Sequence, residues 1–228
     1  MLGTAALAMW WDMAPAMRHE FEHWHSHEHF AERLALPGFR RATRWADAAG
    51  GEGFFILYEL ATYEALVSPE YLARLNAPSN WSRRMMPHHR NMVRSQCRVA
   101  ASGGAAVAGH ALTVRLAPAA GGAEPLRAYL GGVLEPLPGR AGFAGAHLLQ
   151  TDTPVLPATT EQEIRGLADR AADWIVLVTG YDIGSLNALR QDWLSGERLA
   201  AAGAAPGALP GTYGLRLSAL REDLPPTR

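Results

Sequence analysis

Apolar residues dominate two short stretches of the chain, Leu2 to Trp11 and Phe54 to Leu60, while polar and apolar positions alternate from Met92 to Val99. Short apolar runs of this kind predict buried strands, and alternation predicts a strand with one polar face. The first strand is expected over Leu2–Met13, ending in the pair Trp10-Trp11. Pro15 then opens a helix to about Leu36, stopped by Pro37-Gly38. Phe39–Trp45 reads as an arginine-studded second strand, closed by the turn Ala48-Ala49-Gly50-Gly51, and Phe54–Leu60 as the third. Ser68-Pro69-Glu70 supplies a serine N-cap and a proline at the first helical position, for a helix to about Leu75. On the fourth strand Arg94, Gln96 and Arg98 share one face, and Val93, Ser95, Cys97 and Val99 the other. The order is βαββαβ, a ferredoxin-like unit.

The second half repeats the pattern. Leu137-Pro138-Gly139 answers Leu36-Pro37-Gly38, and Ile175-Val176-Leu177 answers Phe55-Ile56-Leu57. Ala111–Leu116 then stands for the first strand, Ser185–Ala201 for the second helix and Tyr213–Leu220 for the last strand. The expected organisation is one unit over 1–101, a linker at 102–109, and a second unit over 110–228. A helical insertion near 153–172 includes the acidic stretch Thr160–Asp173. Two such α+β units can pair their sheets face to face and bury both apolar faces within one chain.

Composition narrows the chemistry without choosing it. The chain has 228 residues and a formal charge of −1, which argues against a broad electrostatic grip on nucleic acid or an anionic membrane. No apolar run reaches the roughly 20 residues of a membrane span. Leu2–Trp11 lacks a preceding basic residue and reads as a buried strand rather than a signal peptide. A single cysteine excludes an internal disulfide framework and an all-thiolate metal site. All 21 basic residues are arginines, so lysine Schiff bases and a P-loop lysine are absent as well. A cytoplasmic protein is expected, working as a monomer with an internal barrel or as a homodimer.

Trp24 and the run His25-Ser26-His27-Glu28-His29-Phe30-Ala31-Glu32-Arg33-Leu34, followed by Leu36-Pro37-Gly38-Phe39, resemble the EthD-like branch of the dimeric α/β-barrel superfamily. Tyr58-Glu59-Leu60, Ser68-Pro69-Glu70-Tyr71 and Asn80-Trp81-Ser82-Arg83-Arg84 are similar to bacterial members of that group. The resemblance covers the first hundred residues and is only architectural beyond them. It implies two tandem ferredoxin-like βαββαβ units around one barrel, with a small-molecule pocket between sheet and helix. The activities it implies range over cofactor-independent monooxygenases, isomerases, dehalogenating or cyclising enzymes and haem enzymes.

Five of the nine histidines fall between His19 and His29. On an ideal helix Met17, Phe21, Trp24, Ala31 and Ala35 form the stripe that faces the sheet, with Glu28 in its middle. His25 borders the stripe and His29 lies one step further round, while His19, His23 and His27 project away. A glutamate inside an apolar stripe needs a partner or a proton, so His25, Glu28 and His29 are the candidate acid–base groups. The resemblance adds that His29 matches the histidine that EthD-like proteins carry on this helix. The alternative is that Glu28 pairs with Arg41 or Arg94 and merely fixes packing.

His25-x-x-Glu28-His29 also matches an inverted zinc-peptidase pattern, which keeps a metal-dependent enzyme as a further alternative, although no third ligand is evident. No metal is expected. Trp11, Trp24 and Trp81 are candidate aromatic walls, and Asp12, Tyr58 and Arg94 candidate substrate contacts; Cys97 reads as a small core residue. The glycine-rich stretches lack a dinucleotide-binding context. The reading is therefore a small-molecule enzyme with no bound cofactor, moving a proton on an aromatic or polyketide-like substrate. A non-catalytic ligand-binding or assembly module is its competitor.

Overall fold

The computed structural model describes residues 1–154, 156–166 and 169–223. Its eight strands are β1 (Ala5–Asp12), β2 (Phe39–Asp47), β3 (Gly53–Leu60), β4 (Arg90–Gly103), β5 (His110–Leu116), β6 (Phe143–Thr151), β7 (Trp174–Gly180) and β8 (Leu209–Leu220). They close into one antiparallel barrel in the order β1-β3-β2-β8-β5-β7-β6-β4. The first four strands are contiguous in that order, as are the last four. Two seams join them, β2 with β8 and β4 with β6.

Helices pack outside the barrel. α1 (Pro15–Trp24) leads through a π-helical turn at His25–His29 into α2 (Phe30–Leu34), and α3 (Pro69–Asn76) and α4 (Asn80–Met85) follow on the same side. α5 (Ala123–Leu134), α7 (Ile183–Gln191) and α8 (Gly196–Ala201) cover the other side; α6 (Thr160–Ile164) lies in the insertion between β6 and β7. No described helix is long and apolar enough to cross a membrane.

Strand alternation divides β1 between two cores. Ala6, Ala8 and Trp10 point into the barrel with Phe55, Leu57 and Ile175, and Trp10 stacks on Phe55 at 4.9 Å. Leu7, Met9 and Trp11 point outward beneath α1 and α2, with Phe21, Trp24 and Phe30. Both faces are buried, which is why β1 and β3 read as continuous apolar runs. Gly38 adopts φ +85° where the α2 helix ends, and a Cβ there would sit 2.8 Å from that of Ala65, so the Pro-Gly stop is steric as well as conformational.

Several boundaries differ from those expected. The linker at 102–109 begins later, because β4 runs on to Gly103 and pairs Ala101–Gly103 with β6. The helix expected over Pro15–Leu36 is interrupted by the π turn. The acidic stretch Thr160–Asp173 is helical only to Ile164; Arg170 bridges instead to Val93, and Leu167 and Ala168 lie outside the described residues. Ser185–Ala201 divides into two helices, the second capped by Ser195. Residues 224–228 and Val155, within the expected second unit, also lie outside the described residues.

Candidate active site

The π turn decides which side chains reach the core. The Phe30 N–H donates to the carbonyl of His25, five residues back, which inserts an extra residue into the turn and rotates everything beyond it. His25, His29, Phe30, Arg33 and Leu34 are consequently buried, at 1%, 7%, 0%, 2% and 0% exposure. Glu28 is displaced to the edge of the helix and is half-buried. This corrects the ideal-helix expectation that placed Glu28 mid-stripe. Its Oε1 accepts from Trp24 Nε1 at 3.1 Å and from Ser79 Oγ at 2.5 Å. Neither arginine considered for it is its partner: Arg41 pairs with Glu59 at 2.6 Å, and Arg94 donates to Tyr71 Oη and Gln96 Oε1.

Between this helix and the sheet lies a small chamber of about 30 Å³. That is room for a water or two rather than a ring. Its walls include Trp11, Trp24, Tyr58, His25, His29 and Arg94, all expected, together with His89, Arg33, Tyr71, Glu161 and Arg165, which were not. The His25 ring lies 5.3 Å from that of His29, nearly parallel to it, and 4.4 Å from Phe30. His29 lies 4.6 Å from Trp24, and His89 lies 4.8 Å from Trp11. Both nitrogens of His25, both of His89 and Nδ1 of His29 are buried with no hydrogen-bond partner among the described residues, as is the Tyr58 hydroxyl.

Electrostatics keep these rings neutral. Burial, then the Arg44 guanidinium, hold the His25 imidazole well below its usual range. Burial followed by Arg33 does the same to His29. His89 is lowered to about 3 by burial and then by Arg165. Burial raises the Tyr58 phenol, so it stays protonated. Arg33 is matched by Glu161 in a buried ion pair, and Arg165 by Asp169 at 2.7 Å.

Two expected contacts lie elsewhere. Asp12 sits on the barrel-facing side of β1, by the same alternation that turns Trp11 toward the chamber, and accepts from Asn91 Nδ2 at 2.7 Å. Trp81 packs outside α1, its ring 5.1 Å from His23 and its Nε1 donating to Glu20 at 3.2 Å. The reason is the phase of α4, whose N-cap at Ser79 turns Ser82 and Met85 inward and Trp81 out. His19, His23 and His27 are exposed. Among the described residues no three His, Cys, Asp or Glu side chains stand together in a metal-holding arrangement, and Glu28 does not line the chamber that His25 and His29 face.

The residues that sequence reasoning missed carried weak signals. Arg33 continues the four-residue spacing of His25 and His29, a spacing the π turn keeps on one face. His89 follows a histidine immediately before a strand. Glu161 and Arg165 arrive from the other half of the chain.

The role of Glu28 predicts a clear contrast. A glutamine side chain at this position would keep an oxygen where both bonds end. Glu28→Gln should therefore change stability by less than about 1 kcal/mol, whereas Glu28→Ala should cost about 1.5–3 kcal/mol. Urea denaturation of the two variants checks this, and equal losses would mean that the charge itself is what matters.

No family model and no curated protein matches the chain. Solved structures do. A Fusobacterium nucleatum protein described as a candidate monooxygenase aligns with a TM-score of 0.64 at 9% identity, covering 97% of this chain and 96% of its own. A protein described as anthrone oxidase-like aligns with a TM-score of 0.64 at 15% identity, covering 98% and 95%. A candidate monooxygenase from Lactobacillus acidophilus aligns with a TM-score of 0.60 at 8% identity, covering 96% and 97%. At such identities the likeness establishes the fold alone, an α+β eight-stranded antiparallel barrel with helices packed outside it.

Proposed function

We propose that the protein is a small-molecule enzyme that moves a proton on an aromatic substrate, using His25 and His29 as the acid–base pair and no bound cofactor. The observation that carries this is the set of unpaired nitrogens. Buried polar groups in native proteins nearly always have partners, and exceptions cluster where chemistry happens. Here several imidazole nitrogens face one chamber with none among the described residues. A neutral imidazole accepts a proton from a carbon or oxygen acid brought against it, and an anion formed beside it raises its basicity. Glu28 then acts as a positioning residue, holding the Trp24 ring that His29 packs against. Trp11 and Trp24 supply the aromatic walls, and Tyr58 a protonated donor. The monooxygenase and oxidase names carried by similarly folded proteins support a substrate of this class.

The same reading takes the two halves as tandem ferredoxin-like units. With the inserted α6 of the second half set aside, each has the element order βαββαβ, and each places its strands in the neighbour order fourth, first, third, second. Ile56 lies in the third strand of the first half and Val176 in the third strand of the second. The EthD-like resemblance of the first hundred residues supports placing the working site in the first unit. The barrel closes within one chain, which supports a monomer as the working unit.

Solvent exchange tests the chemistry without presupposing the reaction. A one- or two-ring carbon acid such as 2-indanone, incubated with the enzyme in D₂O, should take up deuterium faster than the buffer background. His25→Phe and His29→Phe fill the same space and should lower the enzyme-catalysed rate at least about 100-fold, within the range for general acid–base groups. Undiminished exchange in both variants, with both folded, would overturn the assignment.

A further inference from the structure

Next to the histidine chamber lies a second cavity of about 190 Å³, and the two share Tyr71, Leu75 and Arg94 as common walls. α3 forms one side of it and the insertion the other, with Leu66, Leu72, Pro154, Leu156 and Pro157 among its apolar walls. An apolar cavity of about 150 Å³ holds benzene. This one therefore accommodates a single substituted ring, which the chamber alone does not.

We infer that the larger cavity binds a one-ring aromatic ligand bearing an anionic oxygen, with Arg94 holding that oxygen at the threshold of the histidine chamber. The inference rests on the proposed function and adds the substrate's charge and its anchoring residue. Arg94 is half-buried, and its hydrogen-bond partners are both neutral: NH2 donates to Tyr71 Oη at 2.9 Å and NH1 to Gln96 Oε1 at 3.1 Å. A guanidinium has five N–H donors, so three remain.

The other charges around the two cavities are already matched or solvated. Arg33 pairs with Glu161, Asp169 is taken by both Nε and NH2 of Arg165, and Arg170 is exposed. Arg94 is thus the half-buried cation of this wall without a carboxylate partner among the described residues. An uncompensated charge in a partly desolvated site favours an incoming anion strongly, and a guanidinium matches a carboxylate or enolate oxygen pair in geometry as well as charge.

The chemistry is consistent with the neighbouring histidines. When a carbon acid loses its proton to an imidazole nitrogen, the C–H electron pair moves into the enolate and the negative charge appears on oxygen. Arg94 stands on the wall common to both cavities, where it can hold that oxygen while the reacting carbon faces His25 and His29. A ligand already anionic in solution would use the same contact.

Isothermal titration with benzoate and with benzamide, its neutral isostere, tests the inference at pH 7. Benzoate should bind at least tenfold more tightly than benzamide. Arg94→Gln should erase that preference while leaving benzamide affinity within about twofold, and Arg94→Lys should keep part of it. Thermal melting establishes that each variant is folded; should the Gln variant fail to fold, loss of part of the benzoate preference in Arg94→Lys carries the test. Equal binding of the two ligands, or a preference that survives Arg94→Gln, would overturn the role of Arg94 while leaving an aromatic cavity in place. Binding of neither would overturn the cavity as a ligand site, while the deuterium-exchange measurement decides the proposed function separately.

Discussion

Lowering the pH from 7 to 5 should destabilise the protein steeply, with the urea midpoint falling continuously through that interval. The cause is the histidine chamber. His25 and His29 are buried, and His89 is half-buried with both ring nitrogens enclosed, in apolar and aromatic surroundings beside arginines, so their folded-state pKa values lie below the usual 6.5 of an unfolded histidine. The sign follows directly. Below pH 6.5 the unfolded chain binds protons that the folded chain refuses, so stability is fully present above 6.5 and is lost as the pH falls toward the folded values, about 3 for His89.

Each such histidine contributes a slope of about 1.4 kcal/mol per pH unit. The three contributions have the same sign and add, so the loss deepens continuously as the pH falls. Replacing any one of them by Phe should reduce the proton uptake on unfolding by about one. A midpoint that stays level between pH 7 and 5 would show that the rings are hydrated or paired in the folded state, and the case for poised neutral imidazoles would go with it.

Glu161→Gln should be strongly destabilising, costing about 3–5 kcal/mol. Arg33 is 2% exposed and Glu161 4% exposed, and the ion pair between them joins α2 to the insertion. Removing one charge leaves the other buried, and Arg33 already has one nitrogen, NH1, without a partner among the described residues. The double variant Arg33→Met/Glu161→Leu removes both charges and should recover most of the loss, because well-packed apolar residues often replace a buried ion pair at little cost. The double-mutant cycle separates the pair from the surrounding packing. A single-variant loss under about 1 kcal/mol would mean that Asp169, which pairs with Arg165, takes over the neutralisation of Arg33.

The contrast between Glu28 and Glu161 shows how far sequence reasoning extends into this site. A glutamate within an apolar stripe is the feature that draws attention to the helix, and the expectation of a buried carboxylate near His25 and His29 is sound in its physics. The carboxylate in the chamber wall is Glu161, 128 residues from its partner Arg33. No local period relates them. The helical wheel fails at one point only, because a single i to i+5 hydrogen bond turns the register by part of a turn, and that bond leaves no signature in composition. Trp81 and Asp12 are displaced for a related reason: whether a residue faces a cavity depends on the phase of its element, and phase is set at a cap or an edge that the residue itself does not reveal.

Local chemistry in the amino-acid sequence determined the alternation of elements, the barrel-forming strands and the helix that carries the histidines. Doubly buried strands must be continuously apolar, proline and glycine end helices where they stand, and Ser68-Pro69 starts one. Tertiary structure alone decided which of those side chains meet. Closing the barrel brought the insertion of the second half against the first, set His89 beside Trp11 and matched Arg33 with Glu161. Such pairings depend on burial in a shared space, where charges must be matched and rings must fill volume, and that constraint acts on neighbours in space rather than along the chain.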